Sequence, residues 1–329
     1  MELYYAGMLD SSADTAGFNL KKISDRPLHS WSLDDVREAI AQASSPVLGF
    51  ADGNRCPTIA AWETATATVQ RGECEAVVLY PAEGLLSEIW QSAPIQVACL
   101  AIAPTQMGAV AISHDALSRL LEELQSEEVK DPLWAILSQL AKNQKLTSLS
   151  EGAPCKINDL DLPKLAPAEP GRRFHWLRDA IQELTADKKL GDTQQRIELS
   201  AALFQLHGFL NASHEASQSW EGEAIADHWH AIMHRREPDY GNAKYWCRRV
   251  GQSDIFPELN DYAVRLQQEM ATKATREDIG SGQYAGQHWD AFGFVDFCAE
   301  NAGNVESNAA QLARQIQYVE MLLLLKQSL

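Results

Sequence analysis

The sequence predicts an α/β domain followed by an all-helical domain, and three observations carry that reading. Short apolar runs alternate with helical patterns up to about residue 150, a proline-rich stretch then interrupts the chain, and beyond it the strand signal disappears. The boundaries that follow are 1–150 for the α/β domain, 151–173 for a linker and 174–329 for the helical domain. A chain of 329 residues is long enough to hold two cores of ordinary size.

In chain order, Leu3–Met8, Val47–Phe50, Ala76–Tyr80, Val97–Ala103 and Ala109–Ser113 have the length and apolar content of strands. Between them, Leu33–Ala43, Thr58–Gln70 and His114–Leu124 read as helices. Ser32 is placed to cap the first of these, with Asp34 and Asp35 in the first turn, where a carboxylate favours the helix dipole. The alternation predicts a Rossmann-type sheet with parallel pairs. In the segment EGAPCKINDLDLPKLAPAEPGRR, Pro154, Pro163, Pro167 and Pro170 break any regular pattern. After it, Phe174–Thr185, Thr193–Leu210, Glu223–Arg236, Tyr240–Val250, Phe256–Thr275 and Asn308–Ser328 are compatible with helix. In the last, Leu312, Ile316, Val319 and Leu323 fall on one face.

A net charge of -17, spread over both halves, speaks against nucleic acid or an anionic membrane as partner. No basic stretch followed by an apolar one opens the chain. The longest strongly apolar run, Met321–Leu325, is far short of the roughly 20 residues that cross a bilayer. Cys56, Cys74, Cys99, Cys155, Cys247 and Cys298 are scattered without a CxxC, a pattern of reduced thiols that makes the cytoplasm the expected compartment.

Two stretches of the first domain carry a resemblance. Leu9-Asp10-Ser11-Ser12-Ala13-Asp14-Thr15 follows a strand and is similar to a D-D-G-S-T-D-G-T turn, and LGFADGNRCPTIAAWETATATVQRG is similar to a strand, D-x-D turn, proline and helix. MGAVAISHDALSRLL is similar to a strand entering a helix farther on. Together they resemble the core of family 2 glycosyltransferases, which have the GT-A fold, over roughly residues 1–145. The resemblance implies that Asp10 helps bind a nucleotide sugar, and that Asp52 and Asn54 hold a divalent cation, Mn or Mg, which neutralises the departing diphosphate. It also places a catalytic base among Asp115, Glu127, Glu128 and Asp131. Asn54 stands where the family has a carboxylate, and the family's first strand is not apparent, so the fold is expected to be truncated and sugar transfer weak or nil. The plain reading of Asp52-Gly53-Asn54 is a surface turn after a strand.

The second domain concentrates histidine and arginine between Leu203 and Gly251. Pro238 and Asp239 separate two helices, Asp239 can cap the second, and Gly251 can close it. With Ala243 at the close approach, the hairpin resembles a tetratricopeptide unit, without the repeat of 34 residues. HWHAIMHRREPDYGNAKYWCRRVG also resembles a signature of uncharacterised bacterial and fungal proteins, which implies no activity. Asp227, His230 and His234 share one helix face at i, i+3 and i+7, a donor set for a transition metal, and His207 and His214 share a face of the preceding helix. Arg235, Arg236, Lys244 and Arg248, with His230 and His234, form a basic cluster in an acidic protein, suited to an anionic small molecule or an acidic peptide. Packing alone also accounts for these histidines, and internal acids for the arginines. Trp289, Phe292, Phe294 and Phe297 read as core rather than as a sugar-stacking platform.

Three functions are therefore in play. The expected one is a binding protein in which a degenerate glycosyltransferase-like domain keeps affinity for a nucleotide sugar and the helical domain supplies a ligand or partner surface. The alternatives are an active metal-dependent glycosyltransferase and a histidine-based metal enzyme or sensor.

Overall fold

The structure is a computed structural model that describes residues 2–6, 19–52, 57–124, 129–152, 155, 157, 160–272, 279 and 284–329. It divides into two compact units: residues 1–160 with 171–180, and residues 161–170 with 181–329.

The first unit is built on a six-stranded mixed sheet. Its strands are β1 (Glu2–Ala6), β2 (Asn19–Ser24), β3 (Val47–Asp52), β4 (Ala76–Pro81), β5 (Ala109–Ser113) and β6 (Leu146–Gly152), in the order β2-β1-β3-β5-β4-β6. β1 runs parallel to β2 and β3, β4 runs parallel to β6, and β5 runs antiparallel to both its neighbours. The central strands are buried on both faces, so they read as continuous apolar runs rather than alternating ones.

Helices flank the sheet: α1 (Leu33–Gln42), α2 (Ile59–Gln70), α3 (Leu85–Ser92), α4 (Ile95–Ala101), α5 (Pro104–Met107), α6 (His114–Glu123) and α7 (Pro132–Lys142). Ser32 closes a full capping box with Asp35, while Thr58, Ser113 and Asp131 cap α2, α6 and α7. Trp62 of α2 is completely buried with Leu3, Val47 and Val77. Gly49 is required there, because a Cβ at that position would lie 2.9 Å from the Trp62 ring.

One expected strand is overturned. Val97–Ala103 falls mostly in α4, whose Val97, Ala98, Cys99, Leu100 and Ala101 are all buried. A helix buried on every side shows neither alternation nor a 3.6-residue period, and a run that short looks the same in either conformation. β2, β6 and α7 carry no sequence signal strong enough to have been anticipated.

In the second unit the helices are α8 (His175–Ala186, of which the first residues belong to the first unit), α9 (Thr193–Leu206), α10 (Leu210–Gln218), α11 (Ala224–Arg236), α12 (Tyr240–Val250), α13 (Phe256–Ala271), α14 (Ala291–Asn301) and α15 (Asn308–Gln327). The helix expected over Thr193–Leu210 ends at Leu206, because the chain turns at Gly208, where φ is 77°, and α10 begins only at Leu210. His207 ends the first and His214 lies within the second, so the two do not share a helix face. Within the stretch 151–173, Glu151 and Gly152 finish β6, 161–170 belongs to the second unit and 171–173 to the first.

Leu162 and Leu165 are buried, and the carbonyls of Leu162, Pro163 and Lys164 accept hydrogen bonds from Arg314, Arg236 and Gln317. α11 lies at the middle of this unit: eleven successive residues, Ala226–Arg236, are buried. Among the described residues no helix is long and apolar enough to cross a membrane.

Candidate functional site

A helix buried on all sides cannot leave charged groups unpartnered without a cost of several kcal/mol per group. The partners of α11 therefore decide which of its side chains remain free for function. Arg235, 4% exposed, donates to Glu320 of α15 and to Gln317, and its guanidinium lies 4.7 Å from the centre of the Phe294 ring. Glu320 also receives His228 Nε2 at 3.1 Å. Burial pushes the Glu320 carboxyl up, but Arg235 with His228 outweighs it and holds it at about 2.

Arg236, 1% exposed, donates to the carbonyls of Gln205 and Lys164 and touches Met321 Sδ. Burial, and then the neighbouring charge of Arg235, pushes it down to about 9. Lys244 pairs with Asp296 at 2.5 Å, and Arg248 lies exposed over the Phe292 ring.

These contacts correct the expected anion site. Arg235 and Arg236 point into the helical core and their donors are used on internal acceptors, because a fully buried α11 has no solvent face to present them on. A pocket of this unit opens elsewhere, between α8, α9 and α10, against Thr185, Arg196, Phe204 and Glu215.

Asp227 is also drawn away from the donor set expected for it. Its carboxylate accepts from the Gly222 backbone N–H at 2.9 Å and from Arg249 Nε at 3.2 Å. His230 and His234 are met instead by His214 of α10. The three imidazoles offer one nitrogen each within 4.8 Å of one another, and they are the one such group of metal-ligating side chains among the described residues. The His214 ring is edge-on to both others, at 4.7 Å from His230 and 5.3 Å from His234. His230 stacks on Trp246 of α12 with ring centres 3.8 Å apart, which clamps it in place. Its Nδ1 is buried with no hydrogen-bond partner.

Burial, followed by the charges of His234 and His214, pushes His230 down to about 3. Burial and His214 lower His234 as well, against the opposing pull of Glu237. Both are therefore neutral imidazoles near pH 7, the form that binds metal.

In the first unit, Asp52 stands at the carboxyl end of β3, level with the end of β1 through the Ala6–Asp52 pair. Its Oδ1 accepts from the Leu28 backbone N–H at 2.8 Å. Asp10 and Asn54 lie outside the described residues, as do Glu127 and Glu128. Of the acids expected to include a base, Asp115 is exposed and Asp131 is buried. Asp131 holds φ 53°, accepts from Thr105 Oγ1 at 2.6 Å and from the Trp134 N–H at 3.2 Å, and caps α7. Burial raises it to about 7, with the charge of Asp52 adding to the rise.

The sequence pattern marked His230 and His234 but missed His214 as their companion. The signal that would have found it is Gly208, which places a turn between His207 and the helix that carries His214. No protein-family model matches this chain, and neither a curated protein nor a solved structure matches it.

Proposed function

We propose that the helical unit is a metal-binding module in which His214, His230 and His234 hold one divalent transition-metal ion, as the centre of a metal-dependent enzyme or sensor. The observation that carries this reading is the convergence of three imidazole nitrogens from α10 and α11 inside a helical core. Neutral imidazole donors favour zinc, copper, nickel or cobalt over magnesium or calcium. Zn–N bonds of about 2.0 Å let two ligand nitrogens on one ion lie no more than about 4 Å apart, so the trio must draw in by roughly 1 Å. His214, half-buried and nearest the surface of the three, is the ring with room to do so. Three protein ligands leave a fourth position open, which is the arrangement of catalytic rather than structural zinc.

The test is metal analysis and native mass spectrometry of protein equilibrated with zinc or cobalt and then dialysed. One ion per chain, lost in His214→Ala and in His230→Ala, is the expected result. Protein that retains no metal at micromolar concentrations would reduce the cluster to packing.

A second reading belongs to the first unit, where the glycosyltransferase resemblance proposes binding of a nucleotide sugar with Mn or Mg. Two features support it: Asp52 sits at the carboxyl end of a strand in a sheet with parallel pairs, where open α/β sheets bind ligands, and a second carboxyl, Asp131, is close enough to feel its charge. Titration with nucleoside diphosphates and nucleotide sugars, with and without manganese, tests it. Binding abolished by Asp52→Ala supports the reading, and no binding by the wild type ends it. On this reading the expected outcome is binding with little or no sugar transfer.

A further inference from the structure

The surroundings of His234 define how it would serve the metal. Its Nδ1 lies 3.1 Å from Glu237 Oε2, one turn along at the end of α11. The Asn242 amide nitrogen of α12 lies 3.1 Å from Nε2 and 3.3 Å from Nδ1, so nearly equidistant from the two that it sits over the face of the ring rather than along either in-plane lone pair. A carboxylate only accepts, so the proton of a neutral His234 belongs on Nδ1, where Glu237 takes it. The in-plane Nε2 lone pair is then not taken up by the Asn242 amide, which packs on the ring face. Both partners are fixed by local structure, because Glu237 is the C-cap of α11 and Asp239 caps α12 and so sets the position of Asn242 in its first turn.

We propose that Glu237 is a positioning residue that holds His234 as the Nδ1–H tautomer and so keeps its Nε2 lone pair for a metal ion. This rests on the reading of His214, His230 and His234 as ligands. A ligating histidine usually donates its other ring N–H to a carboxylate, which fixes the ring and raises its basicity, and loss of such a partner typically costs 10- to 100-fold in affinity.

The experiment compares wild type and Glu237→Gln in two measurements. Long-range proton–nitrogen NMR of the metal-free protein reads the His234 tautomer, and titration with cobalt(II) reads affinity. The expected results are Nδ1–H in the wild type, a mixed or reversed tautomer in Glu237→Gln, and a loss of 10-fold or more in cobalt affinity for that variant. The proposal is overturned by an Nε2–H tautomer in the wild type or by Glu237→Gln binding as tightly as wild type. A wild type that binds no cobalt but shows the Nδ1–H tautomer would refute the metal reading while leaving the Glu237 assignment of the proton in place.

Discussion

Replacing Asp131 by Asn should remove a pH dependence that this one carboxyl imposes on the first unit. The side chain is 4% exposed, and burial raises it from 3.8 to about 7 despite hydrogen bonds from Thr105 and Trp134. A group whose folded-state value lies above its unfolded one binds more protons when folded, so stability falls as pH rises from about 4 to about 7 and levels off above that. The whole difference corresponds to roughly 4 kcal/mol, of which about 2–3 kcal/mol falls between pH 5 and pH 8. Asparagine is nearly the same size, caps a helix as well as aspartate does, and can still accept from the Trp134 N–H while its amide donates to Thr105. Urea unfolding at pH 5 and pH 8, followed by hydrogen exchange of amides in β5 and α7, isolates this unit. The wild type should lose about 2–3 kcal/mol more than Asp131→Asn across that interval. Equal losses in the two proteins would mean that Asp131 remains ionised in the fold and that its burial costs far less than its surroundings imply.

Two further outcomes follow from the packing. Glu320→Gln leaves Arg235 buried without its counter-charge and should destabilise the helical unit by about 3–5 kcal/mol in urea unfolding. In the wild type the same carboxyl, held at about 2, should cost stability only as pH falls from 4.5 toward that value. A loss under 1 kcal/mol on substitution would show that Arg235 finds another acceptor. Gly108→Ala should leave the first unit unfolded or severely weakened, because a Cβ there would collide with the Leu79 carbonyl oxygen of the neighbouring strand, and backbone cannot swing aside as a side chain can. Wild-type circular dichroism and melting for this variant would show that the approach of Gly108 to β4 is looser than described.

Which parts of this architecture were legible in the sequence depended on how far apart the interacting residues lie. α1, α2 and α6 carry their own caps, and α15 its own apolar stripe, so each could be read within a window of one element. Asp227, His230 and His234 do share a helix face, yet they part company in the fold. Arg249 of α12 claims Asp227, and α10 brings His214 to the other two. Periodicity gives the direction in which a side chain leaves its helix, while its neighbour on that side is chosen by tertiary packing. The arginines show the same limit. Their local excess over acids pointed to an external anion, but the acid that answers Arg235 is 85 residues away on α15. For Arg236 the answer is peptide carbonyls, which charge counting leaves out altogether.

The course of the chain through 160–181 bears on how the protein can be taken apart. Because 161–170 is built into the helical unit and 171–180 into the sheet unit, the chain passes from one to the other three times. A single cut at any point in this region therefore strips one unit of a segment it packs on. Cutting before 161 takes from the sheet unit the piece whose Trp176 packs edge-on against Trp134 and donates to the Lys130 carbonyl. Cutting after 180 takes from the helical unit the strand of carbonyls that Arg236, Arg314 and Gln317 bind. Of the two fragments from a cut at either end of this stretch, one therefore has a vacant groove while the other keeps its unit whole. Both units are obtained complete only as overlapping pieces, 1–180 and 161–329, which share the stretch that weaves between them.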